Sequence, residues 1–361
     1  MSPVRVLCVT PFGPSGRGGI DRLYLYFRDF LNGQTLDGVE VHFARARGSA
    51  SGNAWMATFP LILIELAWTL ARLRPDVVHI NFATGGSLPR KYAALRLARL
   101  FGARIIVHFH GQFIEDQIAK GTAAGRLFKA IATGANRVVA LGDVHAAAFR
   151  RIGVPEQHIA IVPNGIPDFA GDAIVPKPRH AKLEILFSGL LTENKGMHLL
   201  IAALKQLDER FTDWHCTAAG NGEVAHFAAL AKETGLAQRI TFTGWIESAT
   251  MLDYMRRADI VALPSRTEAL PLSLIEGACA GAALIATDVG NVRAIVRDGE
   301  NGILVARDPD AICAALRRLA SDRELLARMQ AASRAVYREN FSLAAFAERL
   351  RTLYLETAGR R

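Results

Sequence analysis

The chain has 361 residues and a formal net charge of +9, with half of its residues apolar and 21% charged. That is globular composition, long enough for about two domains with a core each, and it excludes an intrinsically disordered chain. Cys8, Cys216, Cys279 and Cys313 stand far apart with no CxxC pair, which argues against a disulfide framework and a structural zinc site and suits a reducing compartment.

Val4–Val9 follows Met1-Ser-Pro at once and reads as a first strand, not as a secretory leader. Further strands are predicted at Val39–Ala44, Val77–Ile80, Ile105–His110, Arg137–Leu141 and Ile159–Val162. Helical patterns lie between them at Asp21–Leu31, Leu61–Leu73, Lys91–Leu100 and Ala123–Ala132. Such alternation argues for βα units around a parallel sheet. The most apolar stretch, Trp55–Leu73, carries Pro60 and Glu65 and ends in Arg72. A bilayer span needs about 20 apolar residues almost free of charge, so a packed helix is the prediction.

Pro163–Arg179 holds four prolines and interrupts the pattern. Strands then resume at Ile185–Ser188, Trp214–Ala219, Ile240–Thr243, Ile260–Leu263, Ala283–Ala286 and Gly302–Val305. Helices fit Met197–Gln206, Glu223–Thr234, Ser248–Arg257, Ser273–Ala280, Val292–Arg297 and Pro309–Ser321. The expected organisation is α/β throughout: a doubly wound domain over residues 1–168, a linker at 169–182, a second doubly wound domain at 183–335 and a C-terminal helix at 336–361. Open α/β sheets bind ligands at the carboxyl ends of their strands, so two such sheets facing a central cleft would bind a substrate pair.

Residues 1–180 hold 21 Lys and Arg against 12 Asp and Glu, so the first half carries the entire charge excess. Nucleic acid, an anionic membrane and an anionic substrate would each suit it. No nucleic-acid-binding motif is present, which removes the first. Arg90–Arg104 alternates basic and apolar residues at helical spacing. It could lie on an anionic membrane, but an ordinary amphipathic helix with a solvated basic face is the favoured reading.

There is no GxxxxGK[ST] loop, HExxH, GxSxG or full GxGxxG, which disfavours P-loop NTPases, zinc proteases, α/β-hydrolases and standard dehydrogenases. Asp308-Pro309-Asp310 reads as a helix start, with Asp as cap, and not as a metal-binding pair. The strongest site signal is Glu268-Ala-Leu-Pro-Leu-Ser-Leu-Ile-Glu276 after the strand Asp259-Ile-Val-Ala-Leu-Pro-Ser265. Carboxylates accept hydrogen bonds from sugar hydroxyls, and the amides opening a helix suit a phosphate. Two solvated surface charges are the alternative, and the pair alone does not decide between them.

Around this element, Phe187-Ser-Gly189, Lys195-Gly196, Ala219-Gly220-Asn221-Gly222-Glu223 and Ile240-Thr-Phe-Thr-Gly244 precede it, and Thr287-Asp-Val-Gly290 and Asp298-Gly-Glu-Asn-Gly302 follow. In the first half stand Gly18-Gly19, Pro75-Asp-Val-Val-His79, His108-Phe-His110-Gly111 and Val162-Pro-Asn-Gly165. In order and spacing, over nearly the whole chain, this series resembles the retaining family 4 glycosyltransferases of the GT-B fold, glycosyl transferases group 1. The resemblance implies a hexosyltransferase, cytoplasmic or peripheral on the inner face of the membrane, that uses a UDP- or GDP-type nucleotide sugar, no metal and no separate cofactor.

It also implies roles. Glu276 would bind the ribose, Glu268 the transferred sugar, and Lys195 the departing diphosphate. Gly18, Gly19, Gly189, Gly220, Asn221, Arg266, Leu272 and Ser273 would line the donor, and His110 would face the reacting sugar. The C-terminal helix would return to the first domain. That domain would hold the acceptor, and its basic charge points to an anionic acceptor or surface such as a lipid-linked saccharide in polysaccharide or glycolipid assembly. Two departures stand out. Leu190 occupies the place of a usual Arg, for which Arg266 or Arg17 could substitute, and Gly290-Asn291-Val292-Arg293-Ala294 lacks the second Gly and the Glu of the family pattern. A nucleotide-sugar epimerase and a non-catalytic sugar- or nucleotide-binding relative are the alternatives.

Overall fold

The computed structural model describes residues 2–11, 19–31, 36–46, 55–84, 88–112, 118, 121–171 and 182–360. The chain divides into two compact units, Met1–Ile166 with Leu343–Arg361, and Pro167–Ser342.

The first unit is built on β1 (Val4–Thr10), β2 (Val39–Arg45), β3 (Val77–Phe82), β4 (Arg104–Phe109), β5 (Arg137–Ala140) and β6 (Ile159–Ile161). They form one parallel sheet in the order β2-β1-β3-β4-β5-β6. The strand period of two divides its side chains between two cores. Val4, Val6 and Cys8 pack with Tyr24 and Phe27 of α1 (Gly19–Leu31) and with Phe346, Leu350 and Tyr354 of the last helix, Leu343–Thr357. Leu7 and Val9 face the other way, onto α2 (Trp55–Leu73), α3 (Leu88–Leu100), α4 (Ala123–Thr133) and α5 (Asp143–Arg151). Every residue of β3 is buried, as a central parallel strand covered on both faces requires.

Two helices of this unit differ from expectation. In α3 the basic residues Arg90 and Lys91 are buried, at 8% and 2% exposure, so the basic face is not uniformly solvated. In α2 the packed face is real, but Leu61, Ile64 and Trp68, spaced three and four apart, are exposed on its outer side. No helix among the described residues is long and apolar enough to cross a membrane.

The second unit contains β7 (Leu183–Ser188), β8 (Trp214–Ala219), β9 (Ile240–Gly244), β10 (Ile260–Leu263), β11 (Ala283–Thr287) and β12 (Gly302–Val305). Its parallel sheet runs β12-β11-β10-β7-β8-β9. Helices α6 (Met197–Asp208), α7 (Val224–Glu233), α8 (Ser248–Arg257), α9 (Leu272–Cys279), α10 (Pro309–Ser321) and α11 (Arg323–Val336) flank it. Asp308 caps α10 through the Ala311 amide at 3.1 Å, with Pro309 in the first turn as read from the sequence. The helix expected at Val292–Arg297 is a single turn, Val292–Ala294. Asn301 explains its end: its side chain accepts from the Arg297 amide and donates to the Ile295 carbonyl, replacing the helix's own bonds.

Candidate functional site

In the second sheet the chain builds β7, β8 and β9 outward, then returns to lay β10 on the other side of β7. The loops leaving β7 and β10 therefore diverge at a switch point, where the strands' carboxyl ends leave a crevice. These loops carry the residues singled out in the sequence.

Backbone contacts that admit only glycine lock the loops together. Gly196 has φ +81°, and a Cβ there would lie 2.1 Å from the Pro264 carbonyl oxygen, so the Lys195-Gly196 turn seats directly against the end of β10. The Arg266 amide donates to the Asn194 carbonyl at 2.7 Å, closing the same junction. On the far side, Gly290 has φ +55°, and a Cβ there would come within 1.9 Å of the Glu268 carbonyl oxygen. Asn291 fixes that approach by donating from Nδ2 and from its amide to the Ala269 carbonyl at 3.0 and 3.1 Å.

The carboxylate so positioned is nearly enclosed. Glu268 exposes 4% of its side chain, and its Oε1 accepts from Lys195 Nζ and Ser265 Oγ, each at 2.6 Å. Thr287 Oγ1 donates to the Ser265 carbonyl and steadies that serine. Oε2 has no hydrogen-bond partner among the described residues. One oxygen thus anchors the carboxylate and the other remains an acceptor for a hydroxyl donor. Glu276 lies within α9, also buried, so neither glutamate is a solvated surface charge. Pro271 precedes α9 and no side chain caps its first turn, at Leu272 and Ser273.

Gly189, Gly220 and Asn221 border this crevice. A Cβ on Gly220 would lie 1.9 Å from the Gly189 carbonyl oxygen, and the Leu191 amide donates to the Asn221 carbonyl at 2.6 Å. Leu190 is exposed beside them and offers no cation. Arg266 is exposed too. Sequence reasoning missed Arg307, which donates from Nη2 to the Glu193 carbonyl at 2.6 Å and whose guanidinium feels Arg266. It also missed Ser265, whose signal was its place at the end of the Asp259–Ser265 run, two residues beyond β10.

In the first sheet the switch point lies between β1 and β3. His79, Asn81, His108 and His110 line up there across β3 and the end of β4. His79 and His108 stack at 5.4 Å, and His108 and His110 rings are 4.0 Å apart. His110 Nε2 donates to Asn81 Oδ1 at 2.9 Å, which sets its tautomer. Burial lowers the pKa of His110 and of His79 to about 3, so both rings are neutral at physiological pH. Gly19 opens α1; Gly18 and Arg17 lie outside the described residues. Among the described residues no cluster of three or more His, Cys, Asp or Glu could hold a metal ion.

The sequence matches the family profile "Glycosyl transferases group 1" over residues 173–336 and "Glycosyl transferase 4-like domain" over residues 3–165. Glycogen synthase of Mycobacterium tuberculosis is 25% identical over 318 residues, covering 84% of this chain and 75% of the relative. A phosphatidyl-myo-inositol mannosyltransferase of Mycolicibacterium smegmatis is 35% identical over 190 residues, covering 50% of this chain and 48% of its own length. Among solved structures, Anabaena HepE in complex with UDP and glucose superposes with a TM-score of 0.73 at 16% identity, over 96% of this chain and 98% of that one.

Proposed function

The chain belongs to the group 1 glycosyl transferases of the GT-B, family 4 type, and we propose that it moves a hexose from a nucleoside-diphosphate sugar to an acceptor hydroxyl with retention at the anomeric carbon. The observation that carries this reading is the anchored Glu268: a buried carboxylate with one oxygen held by Lys195 and Ser265 and the other open, at the switch point of the second sheet. Glu276 on α9 holds the ribose in this reading, and the first-turn amides of α9 face the diphosphate.

The chemical task is to stabilise an oxocarbenium-like sugar and a departing diphosphate. Lys195 supplies positive charge to the leaving group and α9 supplies the oriented amides, charge stabilisation that a divalent ion would otherwise provide. Arg266 and Arg307, which bond to the Asn194 and Glu193 carbonyls of the Lys195 loop through an amide and a guanidinium respectively, take the place of the arginine that Leu190 replaces. Neutral His110, its Nε2 proton committed to Asn81, accepts a hydrogen bond from a sugar hydroxyl at Nδ1 and does not shuttle protons; the leaving phosphate takes the acceptor proton.

The acceptor is proposed to be a saccharide on a lipid, met at the anionic cytoplasmic face of a membrane during cell-surface polysaccharide or glycolipid assembly. Two features of the first unit support this: its basic charge, and the exposed apolar residues Leu61, Ile64 and Trp68 on α2 and Leu100 and Phe101 at the end of α3. Arg72 lies 5.2 Å over the Trp68 ring, and Arg96 and Arg99 are exposed on α3. Apolar residues flanked by arginines suit the interface of an anionic bilayer.

The test is product analysis. Purified protein, UDP- and GDP-hexoses and lipid-linked saccharide acceptors should release nucleoside diphosphate and yield a product whose anomeric configuration, read by NMR, matches the donor. An inverted product would overturn retention. An epimerised donor without acceptor would identify an epimerase instead.

A further inference from the structure

Lys91 is unlike the other lysines among the described residues. It sits in the first turn of α3, at the carboxyl end of β3, and is 2% exposed. Its ammonium has no hydrogen-bond partner among the described residues, although an ammonium carries three donors. Its ammonium lies within electrostatic range of Cys8 of β1 and of His110 after β4. At the same edge, Thr10 ends β1 with its side chain fully buried and its hydroxyl likewise without a partner among the described residues. Thr10 lies one step beyond the Val9–Ile80 pair, which sets it beside Asn81, the partner of His110.

The charges around Lys91 do not neutralise it. Arg90 is a like charge next to it in sequence, Asp21 of α1 is the one carboxylate among the described residues that acts on it, and the Cys8 thiol is held neutral by burial. A buried ammonium without a hydrogen-bonding anion is unfavourable, and its pKa falls to about 7 here. The cost is removed by an occupant that brings anionic oxygens. The switch point of an open α/β sheet is where a ligand enters.

We propose that Lys91, with the Thr10 hydroxyl, forms an anion site in the first unit that holds a phosphoryl group carried by the acceptor. The proposal rests on the glycosyl-transfer reading for the word acceptor, while the site itself rests on unit-one geometry alone. Lys91 is a binding residue here and takes no part in bond breaking.

The chain has eight lysines, so selectively labelled lysine side chains give a short NMR spectrum. Lys91 is recognised as the signal that titrates near pH 7, when ordinary lysines titrate near 10.4, and by its absence in Lys91→Met. Inorganic phosphate is the probe, with UDP as a second arm on the same full-length protein. The expected result is that millimolar phosphate shifts this signal and raises its titration midpoint by a unit or more, with and without UDP. In Lys91→Met, phosphate affinity should fall at least tenfold with UDP affinity unchanged. A Lys91 signal indifferent to phosphate in protein that binds UDP would overturn the site and leave the donor reading intact. A signal moved by UDP and not by phosphate would assign the cation to the donor diphosphate and also overturn it. Should Lys91→Met fail to fold, the wild-type titration still decides.

Discussion

Acidification from pH 7 to pH 5 should destabilise the first unit through its buried imidazoles. Burial lowers the pKa of His79 and His110 to about 3 and that of His145 to about 4, against an ordinary value of 6.5. The folded pKa lies below the unfolded one in each case. As pH falls below 6.5 the unfolded chain takes up protons that the folded chain refuses, and stability is lost down to the folded pKa. At pH 5 the solution is about 1.5 units below the pKa of the unfolded ring, worth about 2 kcal/mol for each histidine and roughly 6 kcal/mol for the three. That is comparable to the whole stability of an ordinary domain, about 5–15 kcal/mol. Hydrogen exchange read by mass spectrometry on peptides spanning β3 and β4 isolates this unit. Protection there should collapse between pH 6 and pH 5, and more gently in His145→Leu, whose buried Nδ1 has no partner to lose. Protection independent of pH over that range, or an unchanged slope in His145→Leu, would refute the reasoning.

Lys195→Ala leaves the nearly enclosed Glu268 with Ser265 alone, and should lower the stability of the second unit by about 2–4 kcal/mol and turnover by roughly a hundredfold or more, measured by urea unfolding and nucleotide release. Gly290→Ala places a Cβ on the Glu268 carbonyl at a φ of +55°, so it should cost about 1–3 kcal/mol and reduce turnover without touching substrate. Lys91→Met should stabilise the protein by about 4 kcal/mol at pH 7 and below, where both states of the wild type carry the proton. The unfolded state alone holds it between pH 7 and 10.5, so that advantage should fade as pH rises across this window in denaturant titrations. Ile64→Ser with Trp68→Ser should leave folding unchanged and weaken co-sedimentation with vesicles rich in anionic lipid about tenfold; equal binding by wild type and variant would remove the α2 surface from the account.

The two sheets were legible because short β-branched or apolar runs, such as Val4–Thr10 and Ile260–Leu263, alternate with helical patterns, as a chain of βα units requires. The carboxylate pair was legible as residue types at a spacing, and its family resemblance gave it roles. What the spacing could not carry was tertiary. Glu268 meets Lys195 across 73 positions, and only the β7–β10 adjacency brings them together. Lys91 looked like one more cation on a basic helix, because burial of a first-turn lysine depends on where α3 meets the sheet edge. The turn at Val292 looked helical, since the Asn301 side chain that ends it lies on the next segment.

The central claim is that the second unit binds a nucleotide sugar through Glu268 and Glu276. Calorimetric titration of the full-length protein with UDP-, GDP- and ADP-sugars, beside Glu276→Ala and Glu268→Gln, tests it most directly. The account predicts micromolar binding of one nucleotide class, lost at least tenfold in Glu276→Ala, with Glu268→Gln reducing affinity for the sugar but keeping that for the bare nucleotide. Equal binding by wild type and Glu276→Ala, or no binding of any donor by folded protein, would contradict it.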